Sequence, residues 1–316
     1  MQYNPLVSII IPVYNGSNYV AQAIDSALAQ TYKNIEILVV NDGSNDDGAT
    51  RDVVLSYGDI VRYFEKPNGG VSSALNYGIL HMKGQYFSWL SHDDMYFPDK
   101  VEKEVNELNK YGYTSADDVI IHGNGIQIDK DNNNIVCRKF GIYGTYDGVD
   151  LFSIMHDRMT MLNGLALLVP RSAFAKVGYF DETMIFIQDI KFFYGILLNN
   201  YKFICISDDI VKNRVHDKQV TVTKKPLNIK ERNEYADEMI DIFSKDIQLY
   251  DKAINSFYRW TIMQNLPQIQ HKFKVFMMEN SMYGIKQKII TALETIKGKL
   301  YREIRYLYKK LYQRKK

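Results

Sequence analysis

The chain has 316 residues, and its hydrophobic content of 46% suffices for a sizeable core, which excludes general disorder. Its net charge is only +2, yet the segment from Lys286 onward carries eight Lys and three Arg against two Glu, about +9, and residues 1–285 carry about −7. Such an acidic body excludes nucleic-acid binding driven by overall charge.

Four apolar, β-branched runs in the first hundred residues predict strands that are buried on both faces. These runs cover Leu6–Val13, Ile35–Val40, Ile60–Phe64 and Tyr86–Leu90. Helix-length segments fill the gaps, as parallel βαβ units require. They cover Asn18–Gln30, Asp46–Tyr57 and Val71–His81. The sequence therefore predicts an open parallel α/β sheet, whose carboxyl edge is the expected ligand site.

The first strand is not followed by a known phosphate-binding loop. Its end reads Pro12-Val13-Tyr14-Asn15-Gly16 rather than G-x-G-x-x-G, and the chain has no G-x-x-x-x-G-K-[ST] segment. Dehydrogenase and P-loop functions are therefore disfavoured. A phosphate bound at this edge would need another neutraliser, for which a metal held by carboxylates is the usual solution.

The pattern beyond residue 100 is less regular. It predicts a helix over Lys100–Lys110, a strand over Val119–Ile128, a polar turn over Asp129–Asn134, a strand over Gly164–Val169 with a helix opening at Pro170, a buried helix over Ile190–Leu198 and a short strand over Phe203–Ile206. From about Asn228 the signals are helical. The boundary of a second region is expected near residue 222.

Two adjacent carboxylates follow the fourth strand in the segment Ser91-His92-Asp93-Asp94. They would repel each other unless a cation or hydrogen-bond donors compensate, which makes a divalent metal one interpretation. A helix N-cap is the other, since Asp94 or Asp99 is placed to cap a helix that begins near Pro98.

Four blocks in order resemble glycosyltransferase family 2 over roughly the first 220 residues. They are Val7 to Asn15, Val39 to Ser44, Asn68-Gly69-Gly70 with Ala74, Asn76 and Gly78, and Leu90 to Asp94. The resemblance implies a GT-A fold, a nucleotide-diphosphate sugar donor, a divalent metal (Mg²⁺ or Mn²⁺) and an inverting single displacement.

The resemblance also assigns donor contacts to individual residues. Pro12, Val13 and Tyr14, followed by Asn15, would line the base pocket, and Asp42 would accept a hydrogen bond from uracil or thymine. The segment Gly70 to Asn76 would pass near the ribose and the diphosphate. Asp93 matches the final acid of the family's DXD motif, whereas Ser91 stands at its first acid and His92 in its middle. Serine offers a hydrogen bond but no charge, so the role of the first acid changes here.

A carboxylate base is implied on the acceptor side. After Gly178-Tyr179-Phe180-Asp181-Glu182, the family's acidic pair is represented by Gln188 and Asp189. Asp189 is the expected base that removes the acceptor hydroxyl's proton. The alternative is that Asp189 only stabilises the first turn of its helix, where the helix dipole favours an acid. Asp181, Glu182 and Gln188 are weaker candidates for acceptor contacts.

The segment Asn213 to Gln219 resembles the Arg-x-His-x-x-Gln block that closes the catalytic domain in many relatives. By this resemblance His216 joins Asp93 and Asp94 as a metal-site candidate. The expected organisation is a GT-A domain over residues 1–222, with a donor half over about 1–100 and an acceptor half over about 101–222. A helical region over residues 223–316 follows.

The basic tail carries one apolar stripe at helical spacing over about residues 286–314. The stripe consists of Ile289, Leu293, Ile296, Leu300, Ile304, Leu307 and Leu311. Basic residues and tyrosines around such a stripe suit a helix in the interface of an anionic bilayer. The alternative is packing on the body or, as a coiled coil, on a second copy of the chain.

Together these features predict an inverting transferase that moves one sugar from a UDP- or dTDP-sugar to a growing, lipid-linked cell-surface glycan. The competing hypothesis is a silent binding or scaffold subunit with the same fold, which docks a partner enzyme through its tail. With no signal-peptide pattern, no run of ~20 apolar residues and only two cysteines, the expected location is cytoplasmic, at the inner face of the membrane.

Overall fold

The computed structural model of the chain describes residues 2–136, 139–199, 201–216, 225–284, 287–288, 291–300 and 303, with side chains except at 136 and 225–228. These residues divide into two compact units. The first contains the described residues up to Gly148 and those of Met161–Leu227. The second contains Val149–Thr160 and the described residues from Asn228 onward.

The first unit begins with alternating strands and helices. They are β1 (Val7–Val13), α1 (Val20–Leu28), β2 (Ile35–Asn41), α2 (Ala49–Leu55), β3 (Arg62–Glu65), α3 (Gly70–His81) and β4 (Tyr86–Trp89). The strands pair in parallel in the order β3-β2-β1-β4. All seven residues of β1 are buried between its neighbours, which explains why the run is apolar without alternation. The predicted parallel sheet is confirmed for this half.

Helix α3 lies directly on β1. A β-carbon at Gly78 would be 2.5 Å from Cγ2 of Ile10, so only glycine allows this close approach of helix to strand. The packing fixes the beginning of α3 near the carboxyl edge of the sheet.

The first unit continues with β5 (Met95–Tyr96), α4 (Lys100–Tyr111), β6 (Val119–Ile128), β7 (Asn134–Val136), β8 (Gly144–Asp147), β9 (Leu167–Pro170), α6 (Ser172–Val177), α7 (Gln188–Leu197) and β10 (Lys202–Arg214). The sheet continues from β4 in the order β9-β6-β10-β5, while β7 pairs with β6 and β8 with β10. Strand β9 is antiparallel to both β4 and β6, so this half of the sheet is mixed.

Two strands differ from their predicted bounds. β10 extends to Arg214, well beyond the predicted Phe203–Ile206, because it continues through register shifts at Asp209 while paired with β6. The polar residues Ser207 to Asp209 hide this continuation in the sequence. The residues Gly164–Ala166 form a turn of 3₁₀ helix rather than the predicted start of a strand.

The second unit is helical. It contains α5 (Gly148–Asp157, from Val149 onward), α8 (Lys225–Ser244), α9 (Ile247–Met263) and α10 (Pro267–Glu279). Aromatic rings form its core: Phe152 lies 6.1 Å from Phe243 and 6.0 Å from Phe257, which lies 4.8 Å from Phe273, all between ring centroids. The sequence did not indicate α5 or β8. The predicted boundary near residue 222 lies outside the described residues and stays a prediction.

The predicted basic helix is described in part. Residues 291–300 are helical, and three members of the apolar stripe, Leu293, Ile296 and Leu300, are 53%, 65% and 57% exposed. The other stripe positions lie outside the described residues. Among the helices that the structure describes, none is long and apolar enough to cross a membrane.

Candidate functional site

The turns after β1 and β2 are fastened to each other at the carboxyl edge of the sheet. The Asn15 side chain donates to Oδ1 of Asn45 at 2.7 Å and accepts from the Asn45 backbone N–H at 2.9 Å. The Asn15 backbone N–H donates to Ser44 Oγ at 2.9 Å. The predicted donor contact Asn15 thus links the two turns, and its contact with the donor stays a prediction. Tyr14 is 43% exposed, whereas Pro12 and Val13 are buried within β1.

Asp42 holds the loop that leads into α3. Its Oδ2 accepts from the backbone N–H of Gly70 at 2.7 Å, and its Oδ1 accepts from that of Gly69 at 3.0 Å. Lys66 Nζ lies 2.8 Å from Oδ1 of the same carboxylate. Gly70 has φ +87°, a conformation that glycine adopts without strain. The structure gives Asp42 this fastening role, and its contact with the donor base stays a prediction.

Sequence reasoning did not single out Lys66. Its side chain is 15% exposed, and it pairs with an Asp42 side chain that is 4% exposed. The sequence did contain a signal for this pair, because the lysine directly follows β3 and the acid directly follows the neighbouring β2. Parallel strands bring such residues to one edge.

The turn after β4 packs against the turn after β1. A β-carbon at Gly16 would collide with the His92 ring, so the absence of a side chain there allows His92 its place. Burial lowers the pKa of His92, with the nearby His216 adding to the effect and Asp93 opposing it. Ser91 begins the turn, and its carbonyl accepts the Asp94 N–H at 3.1 Å. The predicted contacts Ser91 and His92 therefore lie at the same edge as Asn15.

Asp93 meets His216, although 123 positions separate them in the sequence. His216 Nε2 lies 2.9 Å from Oδ2 of Asp93, and the two side chains are 20% and 14% exposed. Strand β10 brings His216 to this edge, since it ends at Arg214 after pairing with β5, which directly follows the turn. Two of the three predicted metal-site residues are thus in contact.

Asp94 and Asp93 have different hydrogen-bond partners. Its Oδ1 accepts the backbone N–H of Arg214 at 2.6 Å, and the residue is only 6% exposed. Burial raises the pKa of Asp94 well above its ordinary value, and the charge of Asp93 adds to this effect. Its role as a metal ligand stays a prediction. Arg214, 1% exposed, was noted only as part of a motif, and its structural role was missed.

Among the residues that the structure describes, no group of three or more His, Cys, Asp or Glu side chains is arranged to hold a metal ion. The pair of Asp93 and His216 still fits the implied Mg²⁺ or Mn²⁺ in one respect. Such ions commonly take one or two protein ligands and complete their shell with substrate phosphates and water. A two-donor set suits an ion that arrives with a diphosphate.

Asn76 fixes the loop that contains Phe180 and Glu182 to α3. The Asn76 amide donates to the carbonyl of Phe180 at 2.8 Å and to Oε1 of Glu182 at 2.9 Å, and its oxygen accepts the Phe180 N–H at 3.0 Å. The predicted donor contact Asn76 and the predicted acceptor contact Glu182 are therefore brought together. Asn76 is 8% exposed and acts here as a link between the two halves of the first unit.

Asp181 links the same loop to α7 by an ion pair. Lys191 Nζ lies 2.8 Å from Oδ2 of Asp181, and the Thr183 N–H and hydroxyl donate to Oδ1. Although burial alone would raise it, hydrogen bonds from Lys191 and Thr183 lower the pKa of Asp181 to about 2. Asp189 lies in the first turn of α7, and Gln188 is its first residue. Among the residues that the structure describes, the buried Oε1 of Gln188 has no hydrogen-bond partner.

The first unit thus has an open α/β sheet with polar turns at its carboxyl edge and an acid–histidine pair among them. The family model described as "Glycosyl transferase family 2" matches residues 8–162. An uncharacterized glycosyltransferase of Rickettsia typhi is 47% identical over 229 residues, which cover 70% of this chain and 67% of the relative. The chain belongs to glycosyltransferase family 2 and is a glycosyltransferase.

Other similarities agree with this assignment. A glycosyltransferase of Rickettsia bellii is 47% identical over 220 residues, which cover 69% of this chain but only 31% of the relative. The crystal structure of S. aureus TarS 1-349 in complex with UDP-GlcNAc has a TM-score of 0.62 at 15% identity, covering 96% of this chain and 91% of that one. The predicted GT-A fold is confirmed by this neighbour.

Proposed function

We propose that this glycosyltransferase moves a single sugar from a UDP-sugar or dTDP-sugar to a growing cell-surface glycan with inversion at the anomeric carbon. The family supplies the reaction class. The observation that supports the donor site most strongly is the contact between Asp93 and His216, at 2.9 Å, on the edge where the turns after β1, β2 and β4 meet. A diphosphate is the ligand for which this edge is best suited.

The chain's own residues have separate tasks in this proposal. Asp93 and His216 would hold the divalent ion and orient the donor's diphosphate, while Tyr14, Ser91 and His92 would contact the nucleoside. When bound, the ion supplies positive charge that stabilises the departing diphosphate.

Asp189 acts as the base of the reaction. It accepts the proton of the acceptor hydroxyl while that oxygen attacks the anomeric carbon on the face opposite the diphosphate. It lies in the first turn of α7. Asp181, Glu182 and Gln188 are proposed to form the acceptor side around it. The links of Asn76 to the 180–182 loop keep this side in a fixed position.

Replacement of the base tests the mechanism. We expect Asp189→Asn to lower kcat by roughly a thousandfold, since general bases contribute about 10²–10⁴-fold, while the affinity for the donor changes little. Asp150, a first-turn acid of α5, offers a matched control, and Asp150→Asn should retain full activity. Transfer at the wild-type rate by Asp189→Asn would remove Asp189 from the mechanism.

The donor is identified by a thermal-shift screen of nucleotide sugars with and without Mn²⁺, since a ligand that binds the folded state raises its apparent stability. We expect one UDP- or dTDP-sugar to raise Tm more in Mn²⁺ than in EDTA. The same donor should then release its nucleoside diphosphate when an acceptor is supplied. No shift with any nucleotide sugar would contradict the proposal.

The acceptor is proposed to be lipid-linked, with the basic helix holding the enzyme at the anionic inner face of the cell membrane. Support comes from the tail's charge of about +9 and from the exposed Leu293, Ile296 and Leu300. The full chain should sediment with phosphatidylglycerol vesicles and much less with phosphatidylcholine vesicles.

A triple change of these three residues to Ser should abolish the sedimentation. The matched control is a triple Ser variant of Leu55, Ile60 and Leu80, which are 52%, 62% and 62% exposed elsewhere in the chain. Equal loss of vesicle binding in both triple variants would contradict a specific role for the tail.

A further inference from the structure

Arg214 connects the turn after β4 with the end of β10. Its backbone N–H donates to Asp94 Oδ1 at 2.6 Å, and its side-chain Nε donates to the carbonyl oxygen of Asp93 at 2.8 Å. His216 follows two residues later in the chain. One residue therefore sets the position of both members of the Asp93–His216 pair.

The guanidinium of Arg214 is held in place by other segments as well. Its Cζ lies 4.5 Å from the centre of the Tyr19 ring, and that ring lies 5.7 Å from the ring of His216. Its terminal nitrogens donate to the carbonyls of Asp129 and Lys130, at 3.0 and 3.2 Å, and to the side chain of Gln22, at 2.9 Å. Bonds to several acceptors in fixed directions give the planar guanidinium one orientation. The end of β10 is fixed accordingly.

The two adjacent acids of the turn have different surroundings. The Asp93 side chain is 14% exposed and faces His216, whereas Asp94 is 6% exposed and accepts a hydrogen bond from the backbone of Arg214. Asp94 is thus hydrogen-bonded to the last residue of β10, two residues before His216.

We infer that Asp94 and Arg214 are positioning residues that hold His216 against Asp93, and that Asp94 serves the donor site through Arg214 rather than by ligating a metal. The inference rests on the proposed function, because that function makes the Asp93–His216 pair the contact for the diphosphate. It gives Asp94 a different role from the one that its motif predicts.

The test follows the environment of His216 in the full chain, labelled with ¹³C-histidine and kept in EDTA at a single pH. The His216 ring signal is assigned with His216→Gln, and Asp93→Asn gives its position when the direct partner is changed. UDP affinity in Mn²⁺ is measured on the same proteins by calorimetry. Asp99→Asn is the matched control, since Asp99 is a half-exposed acid close by in the sequence.

Asp94→Ala should move the His216 signal away from its wild-type position and weaken UDP binding in Mn²⁺ roughly tenfold, the size typical of residues that orient metal ligands. Asp94→Asn keeps an oxygen for the Arg214 N–H and should leave both readouts near the wild type. Loss of the metal effect in Asp94→Asn, with an unmoved His216 signal, would show a ligand and overturn the inference.

Two further outcomes are separated by the design. If Asp94→Ala does not fold, Arg214→Lys replaces it, since lysine keeps the charge and the backbone N–H but loses the Nε–H that donates to the Asp93 carbonyl. An unmoved His216 signal in that variant would also overturn the inference. If the wild type binds no UDP, the proposed function fails, and the His216 signal alone decides whether Asp94 and Arg214 hold the pair.

Discussion

The turn after β2 and the turn after β4 both present a carboxylate at the same edge of the sheet, yet they use it differently. Asp42, in the first turn, accepts hydrogen bonds from two backbone amides and pairs with Lys66. Asp93, in the second turn, faces His216 and keeps part of its surface accessible. The first acid fastens a loop of the protein, and the second meets the histidine that follows β10.

This difference teaches that an acid in a family motif can organise the backbone around it, whether or not it also contacts the substrate. A carboxylate that receives several N–H donors is held in place and organises the backbone around it. Asp42 shapes the beginning of α3 in this way, and Asp94 does the same for the end of β10. Changes at Asp42 should therefore affect stability first, whereas changes at Asp93 should affect binding first.

Asp42→Ala should have the largest effect on stability. The change leaves Lys66 and two backbone amides without their common acceptor, so we expect the free energy of unfolding to fall by about 3 kcal/mol, as for other broken buried pairs. Urea unfolding at pH 7 measures it. The control is Asp59→Ala at an exposed position, which should remain within about 0.5 kcal/mol of the wild type. If Asp42→Ala stayed as stable as the wild type and lost only nucleotide binding, Asp42 would act on the ligand rather than on the loop.

Asn76→Ala tests whether the acceptor side is fastened in the same manner. It removes three hydrogen bonds and leaves the buried N–H of Phe180 unpaired, which should lower the free energy of unfolding by about 2 kcal/mol. Glu182→Ala, which removes only the hydrogen bond from Asn76 to Oε1 of Glu182, should lose less. Equal losses in both variants, measured by urea unfolding, would show that the Phe180 hydrogen bond is unimportant.

Asp181 gives the smallest expected effect, and it depends on pH. Because the pKa is lowered to about 2 in the folded state, the carboxylate stabilises the protein above the unfolded pKa near 4, and this contribution is lost as pH falls toward 2. Asp181→Asn should cost about 1 kcal/mol at pH 7, a value reduced for partial exposure.

The difference between Asp181→Asn and the wild type should shrink when urea unfolding is repeated at pH 4 and below. Lys191→Met removes the partner of the same ion pair and should show a similar loss at pH 7. A loss that stayed constant with pH would exclude the carboxylate's charge as its cause.

The first half of the sheet could be predicted from the sequence because its signals are local. A strand buried on both faces, such as β1, requires a continuous apolar run, and the turn residues after it mark its end. The bounds of β10 could not be predicted in this way. Its second part is a strand because it pairs with β6 across register shifts, and that partner lies far away in the sequence.

The same distinction holds within the candidate site. Motif spacing placed Asn15, Asp42 and Asp93 at one edge, as the structure has them. It could not show that Asp42 accepts hydrogen bonds from backbone N–H groups 27 and 28 residues further on. Nor could it show that Asp94 accepts one from a backbone N–H 120 residues away. Such partners are chosen by the fold, so a motif predicts where an acid lies better than what it contacts.

Calorimetry with UDP tests the central claim most directly, with the wild type and Asp93→Asn each measured in Mn²⁺ and in EDTA. The account expects the wild type to bind UDP roughly tenfold more tightly in Mn²⁺, because Asp93 and His216 are proposed to hold the ion, which would neutralise the diphosphate. Asp93→Asn should lose that difference while it unfolds in urea like the wild type. An equal response to Mn²⁺ in both proteins would contradict the assignment of Asp93 as the acid that meets the donor.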